Sequence, residues 1–219
     1  GAWEEAVDKD PWYLTAESNS EAGDVDTFWD ELDCDDIFAD GPWPIHNEST
    51  WLFLRGAYLG VVGPHFATID FEHIHNDGFE VPVKVENIPG KGRGVVALED
   101  IPEGTFIWAS SQTARFPSPK YFRRFLASLP ETLACDVLIW AYVEDFDWEE
   151  DEEDSSSTLN YSESSHIRPT LSVDLDPSSF INTIDDKTGD KKNVDGWTST
   201  SIRLIRAGEE ILVDYADFE

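Results

Sequence analysis

Gly208-Glu-Glu-Ile-Leu-Val-Asp-Tyr215 lies near the end of this chain, behind Ser172-Val-Asp-Leu-Asp-Pro-Ser-Ser-Phe-Ile-Asn182 and, much earlier, Gly90-Lys-Gly-Arg-Gly94. Read singly, each is ordinary punctuation: a glycine-rich turn, a strand that runs into a loop, and a Gly-Glu-Glu turn exit ahead of a strand. Their joint occurrence, in this order and at this spacing, is what carries information.

Around these three segments the hydrophobic pattern switches period. Phe79-Glu-Val-Pro-Val-Lys-Val85 alternates apolar and polar residues, as a half-buried strand with an edge proline does. A Pro89-Gly90 turn leads to Gly94-Val-Val-Ala-Leu98, and Asp100-Ile-Pro-Glu-Gly104 turns into a further strand at Thr105 to Trp108. Ser118-Pro119 opens a helix with Tyr121, Phe122, Phe125, Leu126 and Leu129 on one stripe. Pro130 starts a second helix, Glu131 to about Val143, in which Leu133, Val137, Trp140 and Ala141 recur at helical spacing; that period makes Trp140 a core residue. Thr170 to Asp174 reads as a strand and Asn182 as a loop residue. Trp197 to Ile205 and Glu210 to Val213 read as late strands around the Arg206-Ala-Gly208 turn. Short strands early, helices in the middle and short strands late predict an α+β fold of mostly short β-strands.

A length of 219 residues accommodates one domain with a substantial flank, and 40% apolar with 13% aromatic residues supply a core despite the charge. No stretch approaches the roughly 20 apolar residues that a membrane span requires, and no signal peptide is readable, so a soluble, intracellular protein is favoured. Gly1-Ala2 at the start, with no methionine anywhere, reads as a processed or engineered N-terminus. The formal net charge of -31 repels nucleic acid and steers lysine- or arginine-rich proteins in, so the expected partner is a basic protein. Acid is densest over residues 144–154, and the stretch 144–165 reads as a solvated loop, either a solubilising insertion or a guide for a basic substrate.

Cys34 and Cys135 are too few for a four-thiolate zinc site; two buried free thiols are the default and a single disulfide the alternative. His73 and His75, with His65 nearby, lack a carboxylate or thiolate partner, and Asp186 to Gly196 departs from the calcium-loop template because lysines interrupt its acids. No metal is expected. Residues 1–45 combine acids with isolated aromatics such as Trp29 and Trp43, which reads as an extended arm with one short helix around Val25–Phe38. Asn47-Glu-Ser-Thr50 is a plausible cap for a helix through Trp51, Leu54, Arg55, Tyr58 and Leu59 that stops at Gly63-Pro64, with a strand as the alternative. The expected organisation is an acidic, aromatic-rich extension over 1–78 and a second unit over 79–219 carrying a helical insert at 118–146.

Taken together, Gly90-Lys-Gly-Arg-Gly-Val-Val-Ala97 with Glu99-Asp-Ile-Pro-Glu-Gly-Thr105, Phe180-Ile-Asn182, and Glu209-Glu-Ile-Leu-Val-Asp-Tyr215 resemble the SET domain, the fold of protein-lysine methyltransferases. The resemblance spans roughly residues 85–218 and implies a SET, β-clip-like fold with an inserted helical segment and an N-terminal extension. It implies S-adenosylmethionine as cofactor, held by Lys91, Gly92, Arg93 and Gly94 at the opening motif and by Asn182 and Thr183 at the middle one. Thr183 and Ile184 stand where the family carries His and Ser. It also implies a catalytic role for Tyr215 beside the reacting methyl group and a place for Phe218 in the substrate channel.

Lysine methylation needs a neutral amine aligned with a sulfonium methyl in a dry, narrow channel. Because an acidic neighbourhood raises a lysine's pKa, the acid cluster is expected to sit away from the reaction centre. Two other readings stand beside the enzyme: a SET-like module that binds basic proteins without catalysis, and an acidic subunit whose aromatic arm docks on a larger assembly.

Overall fold

The computed structural model describes residues 29, 32–35, 43–69, 72, 74–75, 77–147, 167–184 and 189–218. His73, residues 185–188, the acidic run after Asp147 and most of the arm with its expected helix lie outside the described residues. Helix α1 (Glu48–Phe66) opens on Asn47, whose side chain accepts a hydrogen bond from Thr50 N–H at 3.1 Å. That bond satisfies one of the amides a helix start leaves unpaired. Regular helix breaks at Gly63, with a φ of 75° ahead of Pro64, where the sequence predicted the stop.

Strands β1 (Val83–Ile88) and β2 (Gly92–Ala97) form an antiparallel hairpin that pairs Ile88 with Gly92. Gly90 and Gly92 supply the positive φ angles, 79° and 82°, that the turn requires. The first strand starts at Val83 and not at Phe79, because Pro82 has no N–H for a ladder; Phe79 makes a lone bridge to Trp108. Thr105 to Trp108, expected as a strand, likewise contributes single bridges, Phe106 to Thr200 and Trp108 to Phe79.

Strand β3 (Thr113–Phe116) is followed by α2 (Pro119–Ala127) and α3 (Glu131–Trp140). Two sequence expectations fail immediately after α3. The helix ends at Trp140 and not near Val143, and Glu144 to Asp147, expected as the beginning of the acidic loop, belong to strand β4 (Tyr142–Asp147). The helical insert therefore ends before residue 146. In Tyr142-Val-Glu-Asp-Phe-Asp147 the β-favouring Tyr142, Val143 and Phe146 stand among three acids, and antiparallel pairing to β5 (Ile167–Asp174) satisfies the backbone in a way a solvated loop does not. The acids are also partly compensated, since Arg115 on β3 pairs with Glu144 at 2.8 Å. Strand order in this sheet is β3-β5-β4.

Beyond β5, the chain makes a 3-10 turn at Pro177–Phe180 and then β6 (Asn182–Thr183), β7 (Val194–Asp195), β8 (Thr200–Ser201) and β9 (Leu212–Val213). The expected strand from Trp197 to Ile205 is instead a turn and half of the β7–β8 hairpin, because Ser199 takes a φ of 51° that no continuous strand accommodates.

One core joins these elements. Tyr58 of α1 is fully buried between Phe116 of β3 and Phe125 of α2, with ring centroids 5.3 Å and 6.5 Å away, and its hydroxyl donates to the Arg115 carbonyl at 2.8 Å. Arg55, also buried, donates from Nε to the Leu175 carbonyl at 2.8 Å and from its terminal nitrogen to the Ile74 carbonyl. Cys34 and Cys135, expected as free thiols, form a disulfide that ties the N-terminal arm to α3. Sequence alone had no means of bringing residues 101 positions apart into one place. Their Cα atoms lie 5.5 Å apart in the fold, a separation that a disulfide requires.

Candidate functional site

The closing segment is held on three sides. Strand β9 runs parallel to β6, with Asn182 opposite Leu212 and Thr183 opposite Val213. On its other flank Ile211 N–H donates to the Val95 carbonyl at 2.8 Å and Ala97 N–H to the Glu209 carbonyl at 3.0 Å. The third hold is Asn193, fully buried, which accepts from Leu212 N–H at 2.9 Å and donates to the Glu210 carbonyl at 2.7 Å. Nothing in the sequence around Asn193 signals this role.

These pairings draw the opening and middle motifs together. Asn182 Nδ2 donates to the Arg93 carbonyl and to Glu210 Oε1, both at 2.8 Å. A Cβ at residue 94 would lie 2.5 Å from Ile88 Cγ1, 2.7 Å from Glu210 Oε1 and 3.0 Å from Asn182 Nδ2. The glycine at 94 is thus demanded by the protein's own packing. Gly92, by contrast, faces open space. Lys91 Nζ is engaged by Asp190 at 2.7 Å and Glu210 at 3.0 Å; partial burial lowers its pKa, but those two carboxylates outweigh burial and the net direction is upward. Asn182 Oδ1 has no donor among the described residues, which leaves an acceptor beside the Glu210 carboxylate.

Arg93 turns its side chain away from this cradle. It is buried and grips Asp136 with two bonds, at 2.7 Å and 2.8 Å, and donates to the Pro44 carbonyl at 3.0 Å. His46 Nε2 meets the same carboxylate at 2.6 Å, while Phe180, Trp43 and Trp140 surround the guanidinium at 4.3–5.3 Å. Burial alone would raise the Asp136 pKa, but the hydrogen bonds from His46 and Arg93 outweigh it and hold the carboxyl below the usual range. The sequence reading missed Asp136, although a lone acid in the apolar run Leu133-Ala-Cys-Asp-Val-Leu-Ile-Trp140 signals a buried cationic partner.

Tyr215 follows β9 in a 3-10 turn, Tyr215–Phe218. Its amide donates to Thr183 Oγ1 at 3.1 Å and its hydroxyl to the Ile181 carbonyl at 2.8 Å, so the side chain is fixed although half exposed. Phe218 closes the turn, and its side chain lies outside the described residues. Tyr215 lines a cleft of about 980 Å³ together with Trp108, Tyr142, Asp174, Ile181 and Trp197. Lys91 to Gly94 and Asn182 do not line it; the two regions meet through Ile181 and Tyr215. Trp140, expected in the core, is buried and also borders the cleft, with an Nε1 that lacks a partner among the described residues.

Three of the described acids line the cleft, two of them from the start of the acidic cluster, whose residues beyond Asp147 lie outside the described residues. These are Glu144, Asp145 and Asp174, the first two brought there by the β4–β5 pairing that the sequence reading took for loop. Desolvation, then Asp176, pushes the Asp174 carboxyl up to about 6, against the opposing hydrogen bond from Thr113. Desolvation and the Asp174 charge likewise push the Tyr215 phenol up.

Residues 92–216, more than half of the chain, match the family model of the SET domain. The chain belongs to the SET-domain family. Membership supports a lysine methyltransferase role in general, with S-adenosylmethionine as the family's methyl donor. No curated protein matches the chain. Within this SET domain the Thr183 hydroxyl takes the Tyr215 amide and so links the middle segment to the closing one. The residues fit the cofactor's amino-acid end at one atom: both Glu210 oxygens are engaged, by Asn182 and Lys91, and Asn182 Oδ1 offers the acceptor for a cationic amine, next to open space at Gly92.

Proposed function

We propose that this SET domain transfers a methyl group from S-adenosylmethionine to a lysine side chain of a lysine- or arginine-rich protein. The observation that carries the reading is the parallel pairing of β6 with β9, which sets Asn182 against the Arg93 carbonyl and Tyr215 against Thr183 and Ile181, at the edge of the aromatic cleft. When bound, the cofactor supplies a methyl group activated on a sulfonium. Asn182 and the backbone of Lys91 to Gly94 hold it, Arg93 acting through its carbonyl while its side chain braces the motif from behind. Tyr215 orients the reacting groups, and Trp108, Tyr142 and Trp197 offer aromatic faces to a lysine that enters. The charge of -31 supports a basic protein as the substrate.

Asn182→Ala is expected to weaken S-adenosylmethionine binding by about 1–3 kcal/mol, the cost of leaving a buried polar partner unpaired. Titration calorimetry measures it directly, and undetectable binding to the parent protein at millimolar cofactor rejects the enzyme reading. Tyr215→Phe is expected to lower methyl transfer by about 10²-fold with little change in cofactor affinity, because a misaligned reacting pair loses that much. Equal transfer rates in mutant and parent assign Tyr215 to packing alone. The Thr183 and Ile184 departures favour one second reading, a SET domain that binds basic proteins without methylating them, which the same calorimetry separates.

A further inference from the structure

Asp174 ends β5 on the wall of the cleft, half-buried. Its Oδ1 accepts from Thr113 Oγ1 at 2.5 Å and lies 3.4 Å from the Tyr142 hydroxyl, whereas Oδ2 has no donor among the described residues. The neighbouring carboxylate of Asp176 is already spent on the protein: it accepts from Gly78 N–H at 2.6 Å and from Ser178 N–H at 2.8 Å, and it does not line the cleft. Asp174 is thus a carboxylate fixed at one oxygen and unengaged at the other, in a cleft walled by Trp108, Tyr142, Trp197 and Tyr215. Aromatic faces with carboxylates among them, Glu144 and Asp145 besides Asp174, suit a cationic side chain.

We propose that Asp174 seats the ammonium group of the substrate lysine through Oδ2 and takes one of its protons, delivering a neutral amine to the reaction. The inference deepens the proposed function and rests on it for the identity of the cation. In the step, one ammonium N–H bond breaks, its electron pair stays on nitrogen, and an O–H bond forms at Asp174 Oδ2; the proton later returns to water. Desolvation favours this exchange, because it disfavours both charged partners and so raises the acid's pKa while lowering the amine's. The upward shift of Asp174 to about 6 is in that direction. The acid inside the cleft is then compatible with lysine chemistry, where an ordinary exposed carboxylate would only hold the ammonium form.

The charged and titratable groups around Asp174 are Asp176 just beyond β5, Glu144 and Tyr142 on β4, Arg115 on β3 and Tyr215 after β9. The test uses the whole chain without cofactor and two Gly-Ser peptides, one with a single central lysine and one with Nε-acetyllysine in its place. The parent is expected to bind the lysine peptide about 10-fold more tightly at pH 8, the worth of a hydrogen bond to Asp174 that the acetylated side chain does not make. That preference is expected to fade towards pH 5 as Asp174 becomes protonated, a readout that needs no variant. Asp174→Asn is expected to abolish the preference, while Glu103→Gln, on an exposed turn that does not line the cleft, keeps it. Difference infrared spectra at pH 8 are expected to gain a protonated-carboxyl stretch when the lysine peptide binds the parent and not the Asn variant. A parent without preference, whether it binds both peptides or neither, overturns the proposal, as does a preference that survives in Asp174→Asn, one lost equally in Glu103→Gln, or the absence of the carboxyl signal. Lysine preference in a protein that fails the cofactor titration upholds the seat and rejects only the methyl-transfer reading.

Discussion

Replacing Cys34 and Cys135 together with alanine is expected to lower the unfolding free energy by about 4–5 kcal/mol. The bridge closes a loop between residues 101 apart, and the chain-entropy cost that such a cross-link removes from the unfolded ensemble is about 4.7 kcal/mol for a loop of roughly 100 residues. Among the described residues of its segment, Trp29 donates to Asp35 and Leu32 packs against the core beside the buried Cys34. Urea melts with and without reductant measure the loss, and loss of the bridge should lower the midpoint in both the variant and the reduced parent. A midpoint indifferent to reductant, or two alkylatable thiols in the untreated protein, contradicts the pairing.

The second large effect is expected at Asp136. Asp136→Ala should cost about 3–5 kcal/mol, because it strands the buried Arg93 guanidinium without its counter-charge. A double substitution to apolar residues, Arg93→Met with Asp136→Leu, should recover most of that loss, since the desolvation of both charges disappears along with their attraction. The sign with pH follows from the Asp136 shift. Its folded pKa lies below the unfolded value, so its contribution is present above the ordinary aspartate range and is lost as pH falls through the depressed folded value. Acid melts of parent and Asp136→Asn check this; a parent whose stability does not fall more steeply than the variant's in strong acid rejects the assignment. Because the Arg93 carbonyl also receives Asn182, the Asp136 variant should weaken cofactor binding as well, a coupling between α3 and the opening motif.

The sequence alone determined the elements whose signals are local. Asn47 and the Gly63-Pro64 pair bounded α1 because a cap and a φ-restricted break act within one turn. Ser118-Pro119 placed the start of α2, and the glycines at 90 and 92 placed the first hairpin turn, for the same reason. The three motifs also identified the family, since their order is written in the chain. What joins them was decided by tertiary structure. Parallel pairing of Asn182 with Leu212, the hold of Asn193 on the closing strand, and the meeting of Arg93 with Asp136 are contacts between residues far apart in sequence, so no local period encodes them. The acidic residues from Glu144 show the reverse case: composition favoured solvent, yet hydrogen bonding to β5 and the Arg115 partner brought Glu144 and Asp145 into the cleft wall. Backbone pairing wins there because each buried amide and carbonyl must find a partner, whereas a side-chain carboxylate on an edge strand still reaches water.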